Sequence, residues 1–301
     1  MTPNYLKKML PLLLDADPAQ ATNVRLVSLA RAFVAGYELV SSVAPAGEFG
    51  TEETFRNRID SLFWVLSERS EHEPDTAIRS RMAHAMYSLA CKTVFPADLR
   101  KKNCCYRAAD ALVRDFMGVV GARPENGLFQ QTGVCMCAAD LLYPAPAADD
   151  EYLLFLKRQL AGWTSALDAD GCWPGVSSEV ALERIGVMNR VAWMFPDLGN
   201  DTATRRAAGY YRRCVCVPAD PLNFDEGYLC TLGRMYEVAL QGNALPVDKP
   251  AAWRIARFMY DYSLTLPVRG DAWYYCTSYV IHCIAESIGA RLAAEMERHI
   301  A

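Results

Sequence analysis

The sequence predicts an all-α fold, and three observations carry that reading. Apolar residues recur at helical spacing along almost the whole chain. Helix-start signals, a capping acid followed by proline, glutamate or glutamine, open several of these stretches. No run of alternating apolar and polar residues bounded by turns marks a strand.

The first helix is expected over 3–14, where Met9 to Leu14 form a short apolar stretch. The second, over 18–42, puts Leu26, Leu29, Ala30, Phe33, Tyr37 and Val40 on one face of a 3.6-residue helix. Its start is read from Asp17 as cap, Pro18 at the first helical position and Gln20 after them. A third follows over 52–69. The fourth, over 76–95, is capped by Asp75 and carries Ile78, Met82, Met86 and Leu89 on one stripe. Helices over 98–120, 130–143, 149–167, 177–195 and 201–215 come next. Asn223-Phe224-Asp225-Glu226 resembles a capping box and opens 226–241, with Tyr228, Leu232, Met235, Tyr236 and Ala239 on one side. Asp248-Lys249-Pro250 opens 250–265, and a last helix runs over 273–298. That makes about twelve helices. Pro144–Ala148 is a short turn and no long linker separates the elements, so residues 1–301 read as one domain.

Composition excludes several function classes. The chain has 301 residues, is 52% hydrophobic and 22% charged, and carries a net charge of −4. That much apolar surface is incompatible with disorder. A pI near 5.7 argues against a nucleic-acid binder that works through a basic field. No uninterrupted apolar run reaches the roughly 18 residues a membrane span needs. The N-terminal apolar stretch is too short for a signal peptide and ends in Asp15 and Asp17, with no small-residue cleavage site after it. Eleven cysteines are many, yet Cys91, Cys135, Cys137, Cys230, Cys276 and Cys283 lie inside apolar helical patterns. Buried thiols in a reducing, cytoplasmic setting explain them. Cys104-Cys105, Cys135-x-Cys137 and Cys214-x-Cys216 do not have structural-zinc spacing, so no metal and no cofactor is expected.

Twelve helices pair into six hairpins. The later pairs share a loop with a glycine, an acid or amide, and an aromatic: Asn126-Gly127-Leu128-Phe129, Asp170-Gly171-Cys172-Trp173, Asp225-Glu226-Gly227-Tyr228 and Gly270-Asp271-Ala272-Trp273. The glycines at 127, 171, 227 and 270 are 44, 56 and 43 residues apart, an irregular repeat of helix-pair length. Second helices of the pairs are rich in small residues, such as Gly133, Cys135, Ala138, Gly186, Gly233, Cys276 and Ser278. First helices carry the basic residues, such as Arg107, Arg114, Lys157, Arg205, Arg212 and Arg254. Crowded inner helices need small side chains, and outer ones solvate a charged face. The expectation is an α/α toroid with an inner and an outer ring; the alternative is an open helical solenoid.

The segment Tyr152–Met188, with a helix, then Asp170-Gly171-Cys172-Trp173, then a helix of small residues, resembles one repeat of the terpenoid cyclase and protein prenyltransferase toroids. Gly171–Gly186 is also similar to the six-hairpin glycosidases, in whose unsaturated-glucuronyl and rhamnogalacturonyl hydrolases a Thr-Gly-x-Ser-Pro loop leads into a Trp-Ala-Arg helix. Both resemblances imply an α/α toroid. The cyclase acid motif Asp-x-Asp-Asp is absent from the chain. Asp170-Gly171-Cys172 matches part of a prenyltransferase zinc site, but the later helix start Asp271–Cys276 has tyrosine in place of the family's histidine, and His282 lies further along. Cys172 and His282-Cys283 resemble the lanthionine-cyclase ligands with the dipeptide reversed. Asp149-Asp150-Glu151 and Asn200-Asp201-x-x-Thr204 resemble the class I terpene synthase metal motifs, the second with Ala208 where the family has glutamate. Helix-start acids explain both pairs as well.

If the loops before the inner helices open at one end of a ring, they gather acids and aromatics at one mouth. Asp170, Asp225 and Asp271, with Glu179 on the following helix, are the candidate acid and base for glycosidic-bond chemistry, which needs two carboxylates. Trp173, Tyr228, Trp273, Tyr274 and Tyr275 are candidate platforms for a sugar ring, with Arg184, His84 and His282 as polar binding groups. Each acid also sits where a helix cap belongs, and each histidine where a hydrogen-bonded core histidine fits. Glu179 and Glu183 with Arg184 and Arg190 read equally as a surface stripe. The expectation is a carbohydrate-processing hydrolase or lyase acting on a small molecule or oligosaccharide. The alternatives are a non-catalytic helical scaffold for a peptide or protein partner, and a prenyltransferase- or cyclase-like enzyme. Neither nucleic acid nor membrane is an expected partner, and the sequence specifies no oligomeric state.

Overall fold

The computed structural model describes residues 3–42, 50–92, 99–120, 128–142, 151–242 and 245–300. These hold twelve α-helices: α1 (Pro3–Leu14), α2 (Asn23–Ser42), α3 (Glu52–Ser70), α4 (Thr76–Lys92), α5 (Leu99–Val120), α6 (Leu128–Leu142), α7 (Glu151–Ser165), α8 (Ser178–Met194), α9 (Asp201–Cys214), α10 (Leu229–Leu240), α11 (Lys249–Ser263) and α12 (Asp271–Ile300). The protein is all-α, with no strand among the described residues. No described helix is long and apolar enough to cross a membrane.

Local chemistry sets the helix starts. The Asp75 carboxylate accepts from the backbone N–H groups of Ala77 and Ile78 at 2.8 and 3.1 Å, and Asp248 accepts from Ala251 at 3.0 Å. Each satisfies orphan donors of a first turn. Two expected starts are corrected. Asp17-Pro18-Gln20 caps only a 3₁₀ turn, Pro18–Gln20, and α2 begins after Thr22, whose hydroxyl accepts from the Arg25 N–H at 3.2 Å. Likewise Asp225 caps the 3₁₀ turn Glu226–Tyr228, and α10 starts at Leu229. A capping acid fixes one tight turn, and the chain then re-enters a helix where the next apolar stripe begins.

The chain divides into two compact units, Met1–Pro74 with Arg81–Cys105 and Ala256–Ala301, and Asp75–Ser80 with Tyr106–Ile255. In the first, α2 packs against α12, α3 and α1. Phe33, Phe55, Phe63, Trp273 and Tyr279 are fully buried there. Burying such side chains contributes about 1.5–3 kcal/mol each. Helices α2 and α3 approach closely at Gly36, where a Cβ would sit 2.4 Å from the Phe55 ring. The Tyr5 hydroxyl of α1 lies 3.3 Å from Ser263 Oγ and donates to Thr277 Oγ1 at 3.5 Å, joining α1 to α11 and α12.

In the second unit α8 packs against α6, α9 and α10, and α6 also packs on α7. Helix α8 is enclosed: Val180, Ala181, Leu182, Arg184, Ile185, Gly186, Val187, Met188, Asn189 and Val191 are all buried. Helix α9 buries one stripe only, Ala203, Thr204, Ala207, Ala208 and Tyr211. This is the difference in composition between second and first helices of a pair, expressed as burial. Two of the polar residues that α8 carries have partners: Asn189 Nδ2 donates to the Gly242 carbonyl at 2.8 Å, and Arg190 pairs with Asp140 of α6. Of the cysteines expected in apolar patterns, Cys135, Cys137, Cys276 and Cys283 are buried and Cys230 is half-buried. The Cys91 side chain lies outside the described residues, as do Asn126, Gly127, Asp149 and Asp150 and the side chains of Leu128 and Phe129.

Candidate functional site

The candidate residues fall six to each unit. In the first, Asp271 is exposed at the start of α12, ion-paired with Arg25 and accepting from the Thr22 hydroxyl at 3.3 Å. Trp273 is fully buried and meets Tyr274 edge to face, with ring centroids 5.2 Å apart. Burial raises the Tyr274 pKa above its ordinary value. Tyr275 is half-buried against Tyr279, their hydroxyls 3.4 Å apart. His84 and His282 are half-buried, each with a partner. A shallow pocket of about 270 Å³ in this unit is lined by Asn23, Glu68, Arg69, His72, Glu73 and Pro74. Three of its polar groups are spent on the fold: Arg69 donates to the carbonyls of Ala19 and Ala21, and Asn23 donates to Glu73.

The second unit holds Asp170, Asp225, Glu179, Trp173, Tyr228 and Arg184. Asp225 is engaged as a cap, accepting from the Gly227 N–H at 2.9 Å. Tyr228 is half-buried, its ring edge-on to Phe224, and burial raises its pKa. Glu179 is half-buried in the first turn of α8. Its neighbour one turn on, Glu183, accepts from Arg234 at 2.7 Å.

The remaining residues meet around the α7–α8 loop. Asp168 pins this loop: its carboxylate accepts from the N–H groups of Gly171 and Cys172 at 2.8 and 2.7 Å. Gly171 has φ 96°, and a Cβ there would lie 2.5 Å from the Arg206 carbonyl oxygen of α9. Only glycine fits both demands. The pinned turn drives Trp173 inward, where its indole N–H donates to the Trp163 carbonyl at 2.7 Å. Trp173 stacks on Tyr211 of α9, and its backbone N–H donates to the Tyr211 hydroxyl at 3.2 Å. Burial pushes the Tyr211 pKa up to about 12. Asp170, two residues from the pin, is exposed and its carboxylate has no partner among the described residues.

Arg184 of α8 lies beneath this loop, 4% exposed. Its guanidinium sits 5.3 Å from the Trp163 ring centroid and 5.6 Å from that of Trp173. Burial lowers its pKa, partly offset by Tyr211 and Cys135. Its buried Nε has no hydrogen-bond acceptor among the described residues, and neither has the buried indole Nε1 of Trp163. A desolvated cation–π contact returns about 2 kcal/mol. Taking a guanidinium out of water without a counter-charge costs several. The cluster is therefore one acceptor short of balance.

Sequence reasoning named Arg184, Trp173 and Asp170 here and passed over Trp163, Asp168, Tyr211 and Cys135. Tyr211 was findable, because it continues the Ala203, Ala207, Ala208 stripe that faces inward on α9. Trp163, in the last turn of α7, carried no such signal until the loop folded back on it. Among the described residues no group of three or more His, Cys, Asp or Glu side chains is placed to hold a metal. In comparisons with known proteins, no family model matches the chain and no curated protein matches it.

Proposed function

We propose that the protein is an α/α toroid of six helical hairpins that processes a carbohydrate as a hydrolase or lyase, with chemistry at the α7–α8 loop. The packing of α2 on α12 supports closure of the ring, since an open solenoid keeps its first and last repeats apart. Within the second unit the even-numbered helices α6, α8 and α10 follow one another in contact, as an inner ring requires.

The observation that carries the catalytic reading is the division of labour between Asp168 and Asp170. Asp168 does the structural work of the turn, so Asp170 is not spent as a cap, and its carboxylate stands free on a rigid loop. Asp225 and Asp271 have their carboxylates engaged. In this proposal Asp170 and Glu179 are the two carboxylates, one protonated as acid and the other ionised as base or nucleophile.

The test is turnover of uronate-containing and neutral oligosaccharides. Release of reducing ends reports hydrolysis, and new ultraviolet absorbance from an unsaturated uronate reports elimination. Loss of a general acid or base lowers the rate by about 10²–10⁴-fold, so Asp170→Asn and Glu179→Gln are each expected to fall in that range with unchanged melting. Turnover that survives both substitutions removes the reading.

A further inference from the structure

We propose that the cluster formed by α7, the α7–α8 loop, α8 and α9 binds a small monocarboxylate, held by the Arg184 guanidinium and the Trp163 indole N–H. Two separate observations meet here. Arg184 is 96% buried by its 4% exposure and its Nε finds no acceptor among the described residues. Trp163, 4% exposed, holds a buried indole N–H that also lacks one. The two side chains are in contact, the guanidinium carbon 5.3 Å from the Trp163 ring centroid. Buried donors in folded proteins nearly always have an acceptor, and two in contact point to one shared acceptor.

The charge of the ligand follows from what surrounds Arg184. The titratable groups that act on it are Tyr211 and Cys135. Both are neutral near pH 7, because burial raises the pKa of each. The site thus has a single uncompensated positive charge and no second cation against it. One negative charge balances it. A carboxylate presents two oxygens in a plane, which suits a guanidinium edge and a neighbouring N–H together. The small exposure of both residues limits the ligand to a group that enters by its carboxylate end. A neutral water satisfies donors but leaves the charge unbalanced.

The site does not rest on the carbohydrate reading; it stands if Asp170 proves idle, and it falls without touching Asp170. The experiment is thermal melting and tryptophan emission of the full chain in halide-free buffer, titrated with acetate and glucuronate. Glucose, chloride and inorganic phosphate are the controls. Both carboxylates are expected to raise the melting temperature saturably and to shift the emission, since Trp163 and Trp173 border the guanidinium. Glucose and phosphate are expected to do neither. Arg184→Met, which keeps the apolar stem, is expected to fold and to lose the response. Trp163→Phe removes the N–H while keeping an aromatic, smaller ring beside the guanidinium, and is expected to weaken binding about tenfold, as loss of a hydrogen bond to a charged group does. A response that persists in Arg184→Met, or an unchanged affinity in Trp163→Phe, overturns the proposal. So does a response to chloride or phosphate without one to either carboxylate, or no saturable response at all.

Discussion

Arg184→Met is expected to make the ligand-free protein more stable. The side chain is 4% exposed, so most of the hydration around its Nε is lost on folding. Its Nε has no acceptor among the described residues, and its favourable contacts are the two indole faces at 5.3 and 5.6 Å. Those faces return about 2 kcal/mol, against several for burying an uncompensated ion. Methionine keeps the unbranched stem against the indoles and drops the charge. Replacing buried ions by apolar residues of similar volume stabilises by about 1–4 kcal/mol in other proteins, and the lower half of that range fits a cation already stacked on two rings. An unfolding entropy of about 2.1 cal/mol/K per residue over 301 residues makes roughly 1.6 °C per kcal/mol. The expected rise is therefore about 2–4 °C by calorimetry in carboxylate-free buffer. A saturating carboxylate should narrow or reverse the difference, because only the wild type binds it. A melting temperature that falls by a similar amount would refute the reasoning, since it would make the guanidinium a net stabiliser as it stands.

Four further outcomes test the physical account. Gly171→Ala should lose more than about 2 kcal/mol, from positive φ and overlap with the Arg206 carbonyl, whereas Gly162→Ala, exposed inside α7 with nothing near its Cβ, should gain about 0.5–1 kcal/mol; urea midpoints moving the same way would contradict one of the two. Asp140→Ala should lose about 3–5 kcal/mol because it removes the carboxylate paired with the α8 guanidinium of Arg190 in a part-buried site, while Asp261→Ala, from an exposed pair with Arg257 at 3.0 Å, should change stability by less than about 1 kcal/mol. Alkaline stability should decline progressively from about pH 9. Cys135 and Cys137 have pKa values raised by burial above 9.0, and Tyr211 is raised from 10.0 to about 12. An acid whose folded pKa is raised contributes stability fully below its unfolded pKa and loses it as pH climbs towards the folded value. The loss should thus begin near pH 9 with the thiols, and Tyr211→Phe should make the decline between pH 10.0 and about 12 shallower without abolishing it, since Tyr228 and Tyr274 are also raised by burial. Native Cys214 and Cys216, both exposed, should react with a thiol reagent, and Cys135 and Cys137 only after unfolding; early reaction of the latter pair would contradict the burial.

Sequence periodicity determined the all-α class and every helix in order, because a 3.6-residue apolar repeat leaves few other ways to bury that surface. Residues such as Asp75 and Asp248 marked true starts because a capping carboxylate acts within three residues of itself. Asp17 and Asp225 misled for the same reason: their capping is equally local, and a 3₁₀ turn satisfies it as well as an α-helix does. Composition also separated enclosed α8 from one-sided α9, since small residues permit contact on all sides. Only tertiary structure decided which polar residues are spent and which are not. Asp168 and Asp170 look alike in sequence, yet one pins a turn and the other stands free. Arg184 looked like part of a surface stripe with Glu179 and Glu183, yet it lies between Trp163 and Trp173, residues 21 and 11 positions before it. Balance of charge and of hydrogen-bond donors depends on what surrounds a group in space, and a chain read along its length does not carry that information.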